Sequence, residues 1–220
     1  MMHKECFPEK GWKVLSKLRE IFVRHKAVLA GGTALALQIG NRISVDLDFF
    51  TADEFRVESI VSYIRNTGLP FRIMSESGDH LVVDVDGIKI SIFKYDYPFL
   101  DKKTTYKGIS IAGLIDIASM KVIAINQRGT KRDFVDLYCI IRNMPFYKIA
   151  ENMTGRFGIE RINPVHIGKS FIYFSDAESD PEPYYLKGKK IKWETVKKFF
   201  RLHVKQFVLD LDAAVRELSG

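Results

Sequence analysis

A glycine pair followed by two closely spaced aspartates constrains this chain more than any other stretch. The apolar run Val28-Leu29-Ala30 indicates the end of a buried strand, and Gly31-Gly32 predicts a turn that opens a short helix. Asp46 and Asp48 then alternate with apolar residues, which predicts another strand. Because side chains two apart on a strand point to the same face, the two carboxylates should project together.

These residue types suit the binding of polyphosphates. Glycines at a strand-to-helix turn let the backbone approach a phosphate, and the free N–H groups of the helix start face the anion. Thr33 adds a hydroxyl that either caps the helix or contacts the phosphate. Two carboxylates on one face repel each other unless a cation lies between them, and Mg²⁺ prefers such oxygen ligands. A glycine pair alone is more often a plain turn, so the joint arrangement carries the interpretation.

The joint arrangement resembles the signature of the polymerase-β-like nucleotidyltransferase superfamily, in which a Gly-Gly or Gly-Ser pair precedes an Asp-apolar-Asp strand. The fuller string, Gly-Gly-Thr-Ala-Leu-Ala-Leu followed by Arg42-x-Ser44-x-Asp46-Leu47-Asp48-Phe49-Phe50, is similar to the AbiEii-type toxin nucleotidyltransferases. The resemblance implies an α/β (α+β) fold: a nucleotidyltransferase core with a small mixed sheet, followed by a helical C-terminal half.

A second group of charged residues lies in the predicted helices. Lys121 and Arg128 fall on an otherwise apolar stripe of a helix predicted over residues 112–126. A buried lysine is costly unless it is paired. Its ammonium therefore requires an anion, which is either a protein carboxylate or a ligand phosphate.

The next helix, predicted over residues 131–143, carries Asp133 and Asp136 on one face. The string from Asp116 to Leu137, with its lysine and its Arg-Asp-x-x-Asp run, resembles the second hallmark of the AbiEii-type family. In that family these residues close over the nucleotide. The resemblance covers about residues 25 to 142.

The resemblance implies a role for each matching residue. It implies that the triphosphate is held at the glycine turn, that Mg²⁺ is held by the acidic strand, and that Lys121 neutralises phosphate charge as pyrophosphate leaves. Asp136 would position or deprotonate the acceptor hydroxyl, while Arg128, Arg132 and Asp133 would support the site through ion pairs with one another. The residues in question are Gly31, Gly32 and Thr33 for the triphosphate, Asp46 and Asp48 for the metal, and Arg42 and Ser44 for the order of the preceding loop.

One element of the family pattern is missing. Such enzymes usually carry a third carboxylate on a strand near the acidic pair, and Ser91 stands where it is expected. Asp84 and Asp86 are the available substitutes, on a strand joined to the next by the hairpin signal Asp86-Gly87. Asp86 is expected to form the turn, so Asp84 is the candidate third metal ligand; the alternative is an exposed strand residue.

Composition narrows the class of protein. The chain has 220 residues, of which 46% are hydrophobic and 28% charged, enough for one large domain or two small ones. We expect a nucleotidyltransferase core over residues 1–110 and a helical domain over residues 111–220. The chain lacks a secretory signal and any apolar run near the roughly 20 residues that span a bilayer. We therefore expect a soluble cytoplasmic protein with no membrane partner.

The net charge of +7 fits an anionic substrate such as a nucleotide or RNA, and equally an ordinary basic protein. The basic residues of the C-terminal half allow the same two interpretations. We expect an exposed loop over residues 175–183 and a long amphipathic helix over residues 193–218, with a lysine cluster between them. The cluster comprises Lys187, Lys189, Lys190 and Lys192, and either contacts an RNA backbone or forms a solvated basic face.

The resulting hypothesis is transfer of a nucleoside monophosphate from a nucleoside triphosphate (NTP) to an acceptor hydroxyl on tRNA or protein, with Mg²⁺ as cofactor. Similarity to the AbiEii branch implies the toxin of a toxin–antitoxin or phage-defence pair, and hence a cognate antitoxin protein. Two alternatives stay open. One is a catalytically weakened nucleotide-binding module, which Ser91 favours. The other is a small-molecule nucleotidyltransferase such as an antibiotic-modifying enzyme.

Overall fold

The computed structural model describes residues 2–219, which divide into two compact units. The first unit extends to Pro98 and includes Lys102–Ala112, and the second comprises Phe99–Asp101 and the chain from Gly113 onward. The elements of the first unit are α1 (Glu9–Arg24), β1 (Val28–Ala30), α2 (Gly31–Ile39), β2 (Leu47–Thr51), α3 (Val57–Asn66), β3 (Phe71–Ser77), β4 (His80–Val85), β5 (Ile88–Lys94), β6 (Thr104–Tyr106) and β7 (Ile109–Ile111). Those of the second are α4 (Leu114–Gln127), α5 (Lys131–Ile141), α6 (Phe146–Phe157), α7 (Pro164–Ile172), α8 (Ser175–Glu178) and α9 (Trp193–Ser219).

The strands of the first unit form one mixed sheet. Within residues 2–219 it has seven strands in the order β3-β4-β5-β2-β1-β7-β6. Strand β2 pairs in parallel with β5 and antiparallel with β1. The predicted hairpin joins β4 to β5, and Asp86 and Gly87 have φ angles of 51° and 79°, the two positive values that a tight type I′ turn requires.

The sheet has two chemically different faces around β2. Leu47 and Phe49 are fully buried, and Phe49 stacks on Phe22 of α1 at 3.7 Å between ring centroids. Asp48 and Phe50 alternate with these residues and are partly exposed. The period-two pattern therefore places Asp48 on the side of the sheet opposite the core, which we call the acidic face. Asp46 is also partly exposed and immediately precedes β2, so the predicted sharing of this face by both carboxylates stays a prediction.

The second unit is helical and has an aromatic core. Phe134, Phe171 and Phe200 are 0% exposed, and the ring of Phe134 lies 5.2 Å from that of Phe200. The long helix α9 buries the predicted apolar stripe, including Phe207 and Leu211. The mixed sheet of the first unit and the helices of the second confirm a mixed α/β fold with a helical C-terminal half.

A buried network attaches the short segment Phe99–Asp101 to the second unit. Asp116 on α4 is 0% exposed and accepts hydrogen bonds from the Leu100 and Asp101 backbone N–H groups, at 3.1 and 2.9 Å. The guanidinium of Arg156 on α6 lies 3.6 Å from the same carboxylate. Because a buried carboxylate needs several donors, this network ties α4, α6 and the segment together.

Two connecting segments contain short elements. The segment after β5 contains β6, which pairs with β7 at the edge of the sheet. The segment predicted as an exposed loop over residues 175–183 begins with α8, whose Ala177 is 0% exposed. Both elements are three or four residues long, too short for periodicity to reveal. Among residues 2–219, no helix is long and apolar enough to cross a membrane.

Candidate active site

The glycine turn and the acidic strand meet within the first unit. Gly31 begins α2 with φ of +68°, and a Cβ added there would lie 2.8 Å from Oδ2 of Asp48. A Cβ on Gly32 would overlap the guanidinium of Arg42. The positive φ therefore favours glycine at position 31, a side chain at position 32 would displace the Arg42 guanidinium, and the Asp48 carboxylate lies directly against the turn.

The loop before β2 is held by a buried hydroxyl pair. Thr33 is 1% exposed, and its hydroxyl donates to the backbone carbonyl of Asp46. The Oγ atoms of Thr33 and Ser44 lie 2.8 Å apart, and Ser44 N–H donates to the Cys6 carbonyl at 2.9 Å. Of the two roles expected for Thr33, the helix cap is not formed, because α2 has no side-chain cap and the hydroxyl donates to the loop, while contact with phosphate stays a prediction. The contribution of the hydroxyl is to fix the position of Asp46.

Ser91 lies beside Asp48. The register of the parallel pair β2–β5 sets the two residues side by side, so their side chains share the acidic face. Ser91 is 2% exposed. A serine hydroxyl therefore stands where a third carboxylate would be adjacent to Asp48.

Asp84 is not brought to the acidic pair. It lies on β4 opposite Lys89, and its Oδ1 accepts the Gly87 N–H at 2.9 Å. Strand β5 separates it from β2, and strands lie about 4.8 Å apart, so the register sets its Cα roughly 10 Å or more from that of Asp48. Asp84 therefore supports the hairpin. The prediction that it is the third metal ligand beside Asp46 and Asp48 is wrong, because it lies two strands away from Asp48.

The donor set fits Mg²⁺ that is shared with a substrate. Within residues 2–219, no three His, Cys, Asp or Glu side chains are grouped as a ready-made metal site. Asp48 offers hard carboxylate oxygens directly against the glycine turn, and Asp46 offers a second carboxylate immediately before the same strand. Mg²⁺ is commonly bound by one or two carboxylates together with phosphates and water, so two aspartates are enough protein ligands for it.

Lys121 in the second unit has protein carboxylates as partners. Its Nζ lies 2.8 Å from Oδ1 of Asp133 and 2.9 Å from Oδ2 of Asp136, and the lysine is 7% exposed. Of the two alternatives left open by the sequence, the structure shows the ion pair. The ammonium joins α4 to α5, and its predicted action on pyrophosphate stays a prediction.

Asp133 is the centre of this buried cluster. Arg128 donates to it from Nε at 3.0 Å, and the Thr130 hydroxyl donates at 2.7 Å. Burial raises the pKa of Asp133. The charges and hydrogen bonds of Lys121 and Arg128 lower it by more than burial raises it, so the pKa lies well below its usual range. Asp133 is therefore an anion at neutral pH that holds two cations, as expected for a supporting residue.

Asp136 and Arg132 differ from each other in exposure. Asp136 is 0% exposed, with its carboxylate on Lys121, so its predicted role toward an acceptor hydroxyl stays a prediction. Arg132 is exposed, and in the described part of the chain it forms no ion pair with Asp133. The expected three-way pairing therefore holds for Arg128 and Asp133 and is wrong for Arg132, which α5 points toward solvent.

Sequence reasoning understated Arg42. It was expected to order the loop, and it is indeed 5% exposed with an N–H on the Ile43 carbonyl at 3.2 Å. The structure also sets its guanidinium against Gly32, which adds positive charge at the start of α2. No spacing rule in the sequence predicts this contact, because it depends on how the loop folds back.

Comparisons with known proteins identify a family and a relative of this chain. Residues 13–69 match the family model described as "Nucleotidyl transferase AbiEii toxin, Type IV TA system". The aq_aa25 protein of Aquifex aeolicus (strain VF5) is 38% identical over 205 residues, which are 89% of this chain and 95% of that protein.

Solved structures show the same fold. MenT4, a nucleotidyltransferase toxin from Mycobacterium tuberculosis H37Rv, has a TM-score of 0.60 at 16% identity, covering 95% of this chain and 92% of that chain. JHP933 from Helicobacter pylori has a TM-score of 0.57 at 18% identity, covering 97% and 98%. From the family match over residues 13–69, we conclude that this chain belongs to the AbiEii nucleotidyltransferase toxin family, and the uncharacterized Aquifex protein is its relative over most of the chain.

Proposed function

We propose that the protein transfers a nucleoside monophosphate from an NTP to a hydroxyl of an RNA such as tRNA. The observation that carries the proposal is the contact between the glycine turn and the acidic strand: Asp48 lies against Gly31, and Asp46 immediately precedes the same strand. This arrangement supports binding of a triphosphate at the start of α2 with its charge facing two carboxylates and a cation.

The reaction is an in-line displacement at the α-phosphorus. The acceptor oxygen forms a bond to that phosphorus, the bond from phosphorus to the β-bridging oxygen breaks, and pyrophosphate leaves with the electron pair. The hydroxyl proton passes to a base or to water. Mg²⁺, when bound, supplies charge stabilisation for the attacking and leaving oxygens. Asp46 and Asp48 would hold it. For Lys121 and Asp136, the roles toward pyrophosphate and the acceptor hydroxyl rest on the family resemblance alone.

Family membership supports a biological role for this reaction. A nucleotidyltransferase toxin is expected to have a cognate antitoxin protein that restrains it, so we propose such a partner for this chain. Modification of tRNA would stop translation, which fits a growth-arresting toxin.

The direct test is label transfer. The purified protein is incubated with total RNA, Mg²⁺ and each α-labelled NTP in turn, and the labelled product is resolved on a gel. Wild type should label RNA with at least one NTP, and Asp48→Asn should not. Asp86→Asn is the matched control, since Asp86 belongs to the same unit but forms the hairpin turn. Equal labelling by wild type and Asp48→Asn would overturn the assignment.

The second candidate is a nucleotide-binding module with weak or no transfer. Ser91 beside Asp48 favours it, because a hydroxyl replaces the carboxylate expected there. Calorimetric titration with each NTP and Mg²⁺ separates the two. Binding that needs Asp48, with no labelled product on RNA or on lysate protein, would establish the module and reject the transferase.

A further inference from the structure

An exposed basic segment precedes the last helix of the second unit. Residues 184–192, which we call the basic loop, have the sequence Tyr-Tyr-Leu-Lys-Gly-Lys-Lys-Ile-Lys. Its four lysines are all exposed, and among residues 2–219 none of them forms an ion pair. The lysines are Lys187, Lys189, Lys190 and Lys192. Their charge is therefore available to an external partner.

The acidic segment before the loop does not neutralise these lysines. Glu178 accepts from Lys197 at 2.7 Å, and Glu182 lies 3.4 Å from the Nζ of Lys131. Asp180 accepts the Lys131 backbone N–H at 2.8 Å, and its carbonyl accepts from the Lys131 ammonium at 2.8 Å. These three acidic residues are thus occupied by two lysines that are themselves 5% and 8% exposed. Positive charge is left concentrated on the basic loop.

Both ends of the loop are anchored. Pro183 is buried, and the Trp193 ring lies 5.8 Å from that of Phe134 and 5.7 Å from that of Phe174. Between the anchors, Gly188 has φ of +78°, and the Lys189 N–H donates to the Leu186 carbonyl at 2.9 Å. A turn stabilised in this way presents the lysines on a fixed base, which reduces the entropy lost when they bind.

We propose that the basic loop is a docking surface for the phosphate backbone of a single-stranded RNA region. Four clustered lysines without acidic partners match a row of phosphates. Tyr184, which is 82% exposed, adds a ring on which a base can stack. The inference rests on the proposed function in that it names RNA as the acceptor.

The loop does not have the features of a membrane-binding segment. Such segments are amphipathic helices with exposed Trp, Phe or Leu side chains. Here the backbone is irregular, and Leu186 and Ile191 are partly buried, so that apart from Tyr184 the exposed side chains are lysines. The surface therefore offers charge and one ring, with no apolar face to insert into lipid.

The experiment measures binding of a short fluorescent single-stranded RNA of mixed sequence by anisotropy, without NTP or Mg²⁺. The variant changes all four loop lysines to Gln. Each lysine that contacts a single-strand phosphate contributes about 0.7 to the slope of log affinity against log salt. Raising the salt concentration from about 50 to 200 mM should therefore lower the RNA affinity of wild type roughly 50-fold more than that of the variant.

A matched variant removes the same charge from scattered sites. It changes Lys13, Lys148, Lys169 and Lys205, all exposed, to Gln. This control should bind RNA nearly as wild type does, and Tyr184→Ala should weaken binding by about 5-fold or more with the salt slope unchanged.

Equal losses in the clustered and scattered variants would overturn the proposal. So would binding to phosphatidylserine vesicles in place of RNA, since the partner would then be a membrane. The readouts also separate the two proposals. RNA binding that depends on the loop, without nucleotide transfer, refutes only the transferase; transfer to RNA with unchanged binding in the clustered variant refutes only the docking surface.

Discussion

Replacing Lys121 by methionine tests the buried ion cluster of the second unit most directly. Methionine keeps an unbranched apolar stem of similar length and removes only the ammonium. That ammonium lies 2.8 Å from Asp133 and 2.9 Å from Asp136, whose side chains are 1% and 0% exposed. The substitution therefore removes a cation that two buried carboxylates share.

The expected cost follows from that burial. Removing one partner of a buried ion pair destabilises a protein by about 3–5 kcal/mol, because a charge stays buried without its counter-ion. This is a large share of the roughly 5–15 kcal/mol that holds a domain folded. Arg128 and Thr130 still donate to Asp133 in the variant, so we expect the lower part of that range, about 3 kcal/mol.

The two tryptophans allow each unit to be followed separately. Trp193 packs on Phe134 and Phe174 in the second unit, and Trp12 packs on Phe7 in the first. Urea unfolding is monitored by Trp193 fluorescence in a Trp12→Phe background, and by Trp12 fluorescence in a Trp193→Phe background. Lys121→Met should lower the midpoint reported by Trp193.

Lys148→Met is the control, since Lys148 is exposed on α6 and a surface change of this kind costs no more than about 0.5 kcal/mol. The double variant Lys121→Met, Asp136→Asn should recover part of the loss, because one buried charge is removed with its partner. If Lys121→Met costs no more than Lys148→Met, the ion pair does not stabilise the second unit and the reasoning fails.

Three further predictions concern the glycine turn, the pH dependence of Asp133 and the reactivity of Cys6. Gly31→Ala should lose about 1–2 kcal/mol from its positive φ and should also lose NTP binding in titration calorimetry, since its Cβ displaces Asp48; Gly68→Ala shares the φ but has open space. Asp133 has a lowered pKa, so its stabilisation is complete above the unfolded value near 3.9 and is lost as pH falls below it. Acid unfolding of Asp133→Asn should lack that dependence. Burial raises the pKa of the Cys6 thiol to about 11, so an alkylating reagent at neutral pH should label it only after unfolding.

Each of these predictions has a clear contrary result. Equal NTP binding by the two glycine variants would show that the turn at Gly31 is not part of the nucleotide-binding site. An unchanged acid-unfolding curve in Asp133→Asn would mean that another carboxyl controls acid stability. Labelling of Cys6 in the native protein, at the rate seen in urea, would contradict its burial.

The sequence by itself determined the elements and their chemistry. Alternation around Asp48 predicted the strand that carries it, and the Asp86-Gly87 pair marked the hairpin. The helical period defined α9 and its buried stripe. These features depend on neighbours within one element, where a fixed period of two or 3.6 residues decides the direction of each side chain.

Tertiary structure alone decided which elements meet. The sequence left the partner of Lys121 open and gave Asp84 to the metal, whereas the packing of α5 on α4 supplies two carboxylates and the strand register leaves Asp84 on another strand. The Thr33 hydroxyl likewise turns inward because the loop before β2 folds back over it. Register and helix packing join residues far apart in the chain, and no local period contains that information.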